Sequence, residues 1–219
     1  MLHATTKFLS IMTFSMGLTG AAIANPKPVL NDWFALGSGC RAKSDLPGNV
    51  RMEQIDSGSE KDLHRVKFYF TDFALEGSKS NLANKKFGRE CAVRLNINPP
   101  AGKRLVGLRA VTAVQANKDA GPSLDVVSEL KLGSVSLISD EQKLSSKDKI
   151  SKKNVEVDLR SAKANSSVFP NLECGEPKII GFDYSWIVSR EKSKSQKIEV
   201  SLAGDKTLVI EAKLEDCKM

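Results

Sequence analysis

Residues 89–115 read Arg-Glu-Cys-Ala-Val-Arg-Leu-Asn-Ile-Asn-Pro-Pro-Ala-Gly-Lys-Arg-Leu-Val-Gly-Leu-Arg-Ala-Val-Thr-Ala-Val-Gln, two strand patterns around a turn. Cys91, Val93, Leu95 and Ile97 alternate with Ala92, Arg94, Asn96 and Asn98. That period of two sets one apolar face on a core and one mostly polar face in water. Pro99-Pro100-Ala101-Gly102 stops the ladder, because proline has no N–H to donate and glycine accepts turn angles. The return run, about residues 103–116, puts Val106, Leu108, Ala110, Thr112 and Val114 on one face, while Val111 and Ala113 opposite them imply partial cover on both sides. The spacing predicts a central hairpin.

Outward from this stretch the same grammar repeats. A short strand is expected near residues 50–56, and Val66, Phe68 and Phe70 alternate with Lys67, Tyr69 and Thr71 in a strand that continues toward Leu75. Residues 25–36 read as a proline-containing lead with the aromatic pair Trp33-Phe34. Residues 124–139 form one long strand or two broken at Gly133, and Val155, Val157 and Leu159 a short one. Ile180, Phe182, Tyr184, Trp186 and Val188 give the cleanest alternation in the chain. At the C-terminus Ile198, Val200 and Leu202 must face the same way as Leu208, Ile210, Ala212 and Leu214. A hairpin with the three-residue loop Gly204-Asp205-Lys206 does this by pairing Leu202 with Leu208 and Val200 with Ile210. Eight to ten strands with no sustained helical period predict an all-β fold, an antiparallel two-sheet β-sandwich, with a closed β-barrel as the alternative.

The first residues are set apart from that fold. Lys7 precedes an uncharged run at residues 8–24 that ends in the small-x-small triplet Ala22-Ile23-Ala24, the layout of a secretory signal peptide. Residues 1–24 are read as that signal and residues 25–219 as one secreted or periplasmic domain with no transmembrane segment after cleavage. Four cysteines follow the signal: Cys40, Cys91, Cys174 and Cys217. An even count in an exported chain implies two disulfides, for which three connectivities exist. Pairing Cys40 with Cys91 and Cys174 with Cys217 closes each half of the chain on itself and ties a flank to a neighbouring strand. Zinc is disfavoured, since no two cysteines are close in sequence and His64 is the one histidine after the signal.

The formal charge of +7 falls to +6 once Lys7 is removed, a modest basic excess, and aromatic residues are 6% of the chain. Residues 140–153 read as a solvated loop carrying Lys143, Lys147, Lys149, Lys152 and Lys153, the possible anion-binding residues. A second basic loop carries Lys192, Lys194 and Lys197. His64 is the one candidate base and no Gly-x-Ser-x-Gly turn accompanies it. A carboxylate pair could draw on Glu53, Asp72, Asp183 or Glu199, none singled out by its surroundings. Trp186 and Tyr184 are assigned to the core rather than to stacking on a sugar. No phosphate loop, dinucleotide fingerprint or calcium loop is present, so no catalytic residue, metal site or cofactor is expected.

The order Gly37-x-Gly39-Cys40, then Val66, Phe68, Phe70 and Phe73, then Cys91-x-Val93 with Pro100 and Gly102, then Cys174-Gly175, resembles a family of secreted bacterial and fungal proteins catalogued as domain of unknown function forty-three sixty. Arg41 departs from it, where the family has proline after the first cysteine, and so does the lysine-rich segment at residues 143–153. The resemblance implies export, β structure and paired cysteines, and brings no catalytic residues. The functional expectation is a non-enzymatic structural or surface-associated protein. The alternatives are a binding module for glycans or anionic envelope polymers and, more distantly, a carboxylate-based hydrolase; no specific nucleic-acid partner is expected. Mass spectrometry of exported protein should find Asn25 as the first residue, and a mature pool that retains Met1 would contradict the signal-peptide reading.

Overall fold

The computed structural model describes residues 29–43, 48–55, 60, 62–71, 73–77, 86–162, 167–190 and 197–217. The expected signal peptide, Asp72, Lys192 and Lys194 lie outside them. The strands are β1 (Leu30–Leu36), β2 (Arg41–Lys43), β3 (Val50–Ile55), β4 (Leu63–Phe70), β5 (Ala74–Gly77), β6 (Lys86–Ile97) and β7 (Lys103–Lys118). They continue with β8 (Pro122–Leu132), β9 (Val135–Leu144), β10 (Ile150–Ala162), β11 (Lys178–Arg190), β12 (Ile198–Leu202) and β13 (Thr207–Asp216). A 3-10 turn, Phe169–Asn171, precedes β11.

One sheet, here sheet A, runs β2-β1-β6-β11-β8-β9; sheet B runs β3-β4-β13-β7-β12-β5, with β10 on the other flank of β7. Every pairing is antiparallel. The sheets belong to an open sandwich, not the closed barrel held as the alternative. The edges of β9 and β10 approach each other, and there the Gln142 side chain donates to the Glu156 carbonyl at 2.7 Å.

The central hairpin expected at residues 89–116 is not formed. β6 lies in sheet A between β1 and β11 and β7 lies in sheet B, so Pro99-Pro100-Ala101-Gly102 carries the chain from one sheet to the other. Alternation fixes which side chains face the core, and it does so equally well for a strand that crosses the sandwich as for one that turns back beside its neighbour. The C-terminal hairpin fails in a related way. β12 and β13 both lie along one side of β7, Leu202 opposite Val114 and Leu208 opposite Thr112. Six residue steps from Leu202 to Leu208 answer two on β7. The excess is even, so all seven apolar residues keep one face while residues 204–206 loop out. Gly204 and Lys206 take positive φ in that excursion, at 58° each.

Two further expectations shift. The proline-containing lead is strand β1 from Leu30, with Trp33 buried against Phe68 at 5.3 Å between ring centroids. Residues 140–153 are mostly strand: β9 runs through Leu144 and β10 begins at Ile150. The lysines belong to strands here because both elements are sheet edges, where charged side chains discourage pairing with another chain.

The core lies between the inner faces, the usual arrangement of stacked sheets. Ile180, Phe182, Tyr184, Trp186 and Val188 of β11 all face it and are buried. Trp186 stacks on Phe73, just before β5, at 4.3 Å between centroids. Beside them Cys40 and Cys91 form a buried disulfide between the β1–β2 turn and β6. Cys174 and Cys217 form the second disulfide and tie the segment before β11 to the end of β13. Both bridges are those expected from the sequence.

Gly39 lies so close to Phe73 that a Cβ would meet the ring at 1.9 Å, whereas a Cβ on Gly107 would make only contacts of 3.5 Å or more. In urea unfolding Gly39→Ala should therefore cost about 1–3 kcal/mol by overpacking. Gly107→Ala, free of positive φ, should stay within about 0.5 kcal/mol of neutral. Equal effects would contradict the packing described.

Candidate functional site

The outer face of sheet A is a grid set by register. One row across the sheet is Leu36, Ala92, Asp183, Glu129 and Ser139; the next is Phe34, Arg94, Gly181, Lys131 and Ser136. On the other side of the first row comes Glu90, Ser185, Val127 and Glu141. Small side chains, Ala92 and Ser185, occupy its centre, and long ones stand around them.

The result is a depression of 540 Å³ lined by Leu36, Gly37, Glu90, Ala92, Val127, Glu129, Asp183 and Ser185, with backbone of Cys91 and Tyr184. Its charged lining residues are all carboxylates. The cations stand in the adjoining row. Lys131 Nζ donates to Asp183 Oδ2 at 2.6 Å and lies 2.8 Å from Glu129 Oε2, and Arg94 donates to Asp183 Oδ1. Gly181 makes room for this: a Cβ there would press on Lys131 Cβ at 3.1 Å and on the Arg94 guanidinium at 3.3 Å.

Electrostatics follow from that geometry. Burial alone would raise the Asp183 carboxyl, but hydrogen bonds and charge from Arg94 and Lys131 outweigh it and hold it below its ordinary value. Hydrogen bonds from Lys131 and Ser136 hold Glu129 low as well. Both carboxylates are therefore ionised hydrogen-bond acceptors at neutral pH. A glycosidase pair needs its two pKa values driven apart so that one member keeps a proton, and this pair is driven the same way.

The remaining expected residues fall elsewhere. Glu53 on β3 and Glu199 on β12 share the outer face of sheet B, the opposite side of the sandwich from Asp183. Tyr184 and Trp186 face the core, as the alternation indicated. His64 on β4 is half-buried, and burial pulls its imidazole below the ordinary value, with Asp62 opposing. Of the five lysines, Lys143 sits on β9, 3.5 Å from Asp125. Lys147 and Lys149 lie in the turn, Lys152 and Lys153 on β10, and all four are exposed. Leu36, Glu90, Ala92, Glu129 and Ser185 were not singled out by sequence. The polar phase of each strand was visible, but no signal joins polar phases across strands until the strand order is known.

Two smaller depressions lie on sheet B. One of 350 Å³ contains Arg65, Arg109 and Glu211, already joined in a ladder with Asp158; one of 370 Å³ lies beside Tyr69, whose ring is covered by Arg51 at 4.0 Å. Their polar groups are largely engaged with one another.

No protein-family model and no curated protein matches the chain. Among solved structures it is similar to TmCBM61 in complex with β-1,4-galactotriose, at 10% identity over 84% of this chain and 88% of that one, with a TM-score of 0.26. It is also similar to a CBM4 structure, at 11% identity over 81% and 84% with a TM-score of 0.24. A third is the N-terminal cellulose-binding domain of Cellulomonas fimi β-1,4-glucanase C, at 11% identity over 90% and 99% with a TM-score of 0.20. Likeness at this level carries no information about what this chain binds.

Asp183→Asn leaves Arg94 and Lys131 without their shared anion and should cost about 1.5–3 kcal/mol at pH 7. Because Asp183 and Glu129 titrate below their ordinary values of 3.8 and 4.5, the stability they add is complete above those values. It is lost as pH falls through the lowered ones. The gap between wild type and Asp183→Asn in urea midpoints should thus be constant near neutrality and close below about pH 4. A gap unchanged down to pH 2 would contradict the ion cluster.

Proposed function

We propose that this disulfide-stabilised β-sandwich is an extracytoplasmic glycan-binding module whose site is the depression on the outer face of sheet A. The observation that carries this reading is the lining itself: a concavity of 540 Å³ with a floor of small side chains, the exposed Leu36 on its rim, and oxygen acceptors from Glu90, Glu129, Asp183 and Ser185. A volume of this order is that of a ligand pocket, about 300–1,000 Å³. Sugar hydroxyls are donors in fixed positions on a partly apolar ring, and ionised carboxylates are the strongest acceptors a protein offers them. Arg94 and Lys131 fix two of those carboxylates in place, so little ordering remains to be paid on binding. Two disulfides suit the compartment in which such polymers are met. The family resemblance in the cysteine and glycine motifs stands beside this as a separate proposal about lineage.

The test is calorimetric titration of the oxidised protein with cello-, xylo-, manno- and galacto-oligosaccharides, wild type against Ala92→Arg. Ala92 points outward at the centre of the depression, so a long side chain there fills it without entering the core. Saturable binding of at least one oligosaccharide by wild type, lost in Ala92→Arg at unchanged melting temperature, is expected. No binding by wild type, or binding that survives the substitution, would refute the site.

A further inference from the structure

Three strand connections open at the same end of the sandwich. β7 ends there at Lys118 and β8 begins at Pro122; β9 ends at Leu144 and β10 begins at Ile150; β11 ends at Arg190 and β12 begins at Ile198. Register brings them together, since Lys118 stands opposite Ile150 on one side and Ile198 on the other. The turns are bonded to each other as well. Gly121 N–H donates to the Ser146 carbonyl at 2.6 Å, Asp119 N–H to the Lys197 carbonyl at 2.9 Å, and Lys197 N–H to Asp119 Oδ2 at 2.9 Å. Beneath them the ammonium of Lys118, buried with its whole side chain, donates to the carbonyls of Asp119 and Asp148. A buried ammonium persists only where fixed acceptors replace its water, so it holds the 145–149 turn in one place.

What this end presents is lysine. Lys147, Lys149, Lys152 and Lys153 are exposed within seven residues of chain, and none has a carboxylate within ion-pair distance among the described residues. Elsewhere basic side chains are mostly matched. Arg65 pairs with Glu211, Arg104 with Glu215, Arg109 with Asp158, and Lys178 with Glu176, while Lys103 holds both Asp62 and Asp216 at the opposite end of the molecule. Along the strands charge is matched pair by pair; at this corner the four exposed lysines outnumber the carboxylates of Asp119 and Asp148.

We propose that this corner is a docking surface for a linear anionic polysaccharide, with Lys147, Lys149, Lys152 and Lys153 as the contacting cations. It is separate from the depression on sheet A and does not rest on the glycan reading of that site. Lysines on flexible stems act as point charges, which suits repeated carboxylate, sulfate or phosphate groups more than one shaped ligand. Single-stranded nucleic acid would call for aromatic side chains among the cations, and a membrane surface for apolar ones that insert. Among the described residues the exposed large hydrophobic ones are Phe34, Leu36, Ile55, Val135 and Ile179, and none belongs to this corner.

The experiment is chromatography of the intact oxidised protein on immobilised polygalacturonate at low salt, with a salt gradient. Wild type should be retained and should elute as salt rises. The fourfold variant Lys147→Gln, Lys149→Gln, Lys152→Gln, Lys153→Gln should lose at least tenfold in affinity with unchanged melting temperature and unchanged oligosaccharide titration. The matching fourfold Lys→Arg variant should be retained, as should Lys206→Gln with Lys213→Gln, which removes exposed lysines elsewhere. Failure of wild type to bind, or retention of the fourfold glutamine variant, would overturn the proposal. Stronger retention on single-stranded DNA or on anionic phospholipid vesicles, at equal charge density, would overturn the choice of partner.

Discussion

The stack of Phe73 on Trp186, with ring centroids 4.3 Å apart, joins the two sheets at the middle of the sandwich. Phe73 belongs to the segment entering β5 of sheet B and Trp186 to the central strand of sheet A, so the contact sets how the layers sit on each other. It is crowded into place from three directions. Tyr184 meets Phe73 edge-on at 5.9 Å, Phe70 lies 5.7 Å away, and Gly39 supplies the space its ring occupies. Gly37 takes a φ of 147°, and a Cβ there would meet the Glu90 carbonyl at 2.2 Å. The glycines on either side of Ser38 are thus what allow Cys40 to reach Cys91 while Phe73 closes over them.

That arrangement explains how much of the fold was legible. The Gly-x-Gly-Cys motif and the phenylalanine spacing are local records of one packed corner; residue types alone imply two disulfides, and their pairing follows from each bridge closing its own half of the chain. The inward rows of β6, β7, β8 and β11 were equally plain. Strand neighbours were not. β6 and β7 satisfy every condition of a hairpin by sequence yet lie in different sheets, and β12 and β13 preserve their common face while pairing with β7 rather than with each other. Periodicity reports the inside and outside of a strand, and neighbours are chosen by contacts far apart in the chain.

The candidate site was hidden for the same reason. Glu90, Ala92, Asp183, Ser185, Glu129 and Val127 come from three strands, and nothing in each strand marks its polar phase as more than solvated surface. By sequence Asp183 is no more than a candidate half of a catalytic pair. Its setting between Arg94 and Lys131, over Gly181, makes it instead a fixed anion in a concave floor. Of the lysines conspicuous in sequence, Lys143 stands on the same face one row beyond Glu141, and Lys147, Lys149, Lys152 and Lys153 stand at the strand ends. A basic chain thus presents an acidic depression on one face and a cationic corner at one end, and each surface selects a different chemistry.

The central claim is that a neutral glycan enters the hollow on sheet A. Amide chemical-shift mapping of isotope-labelled, oxidised protein during titration with a bound neutral oligosaccharide tests it most directly. The account predicts perturbations centred on Ala92, Val127, Glu129, Asp183 and Ser185, with sheet B silent. Perturbations centred on Tyr69, Arg109 or Glu211 would contradict it.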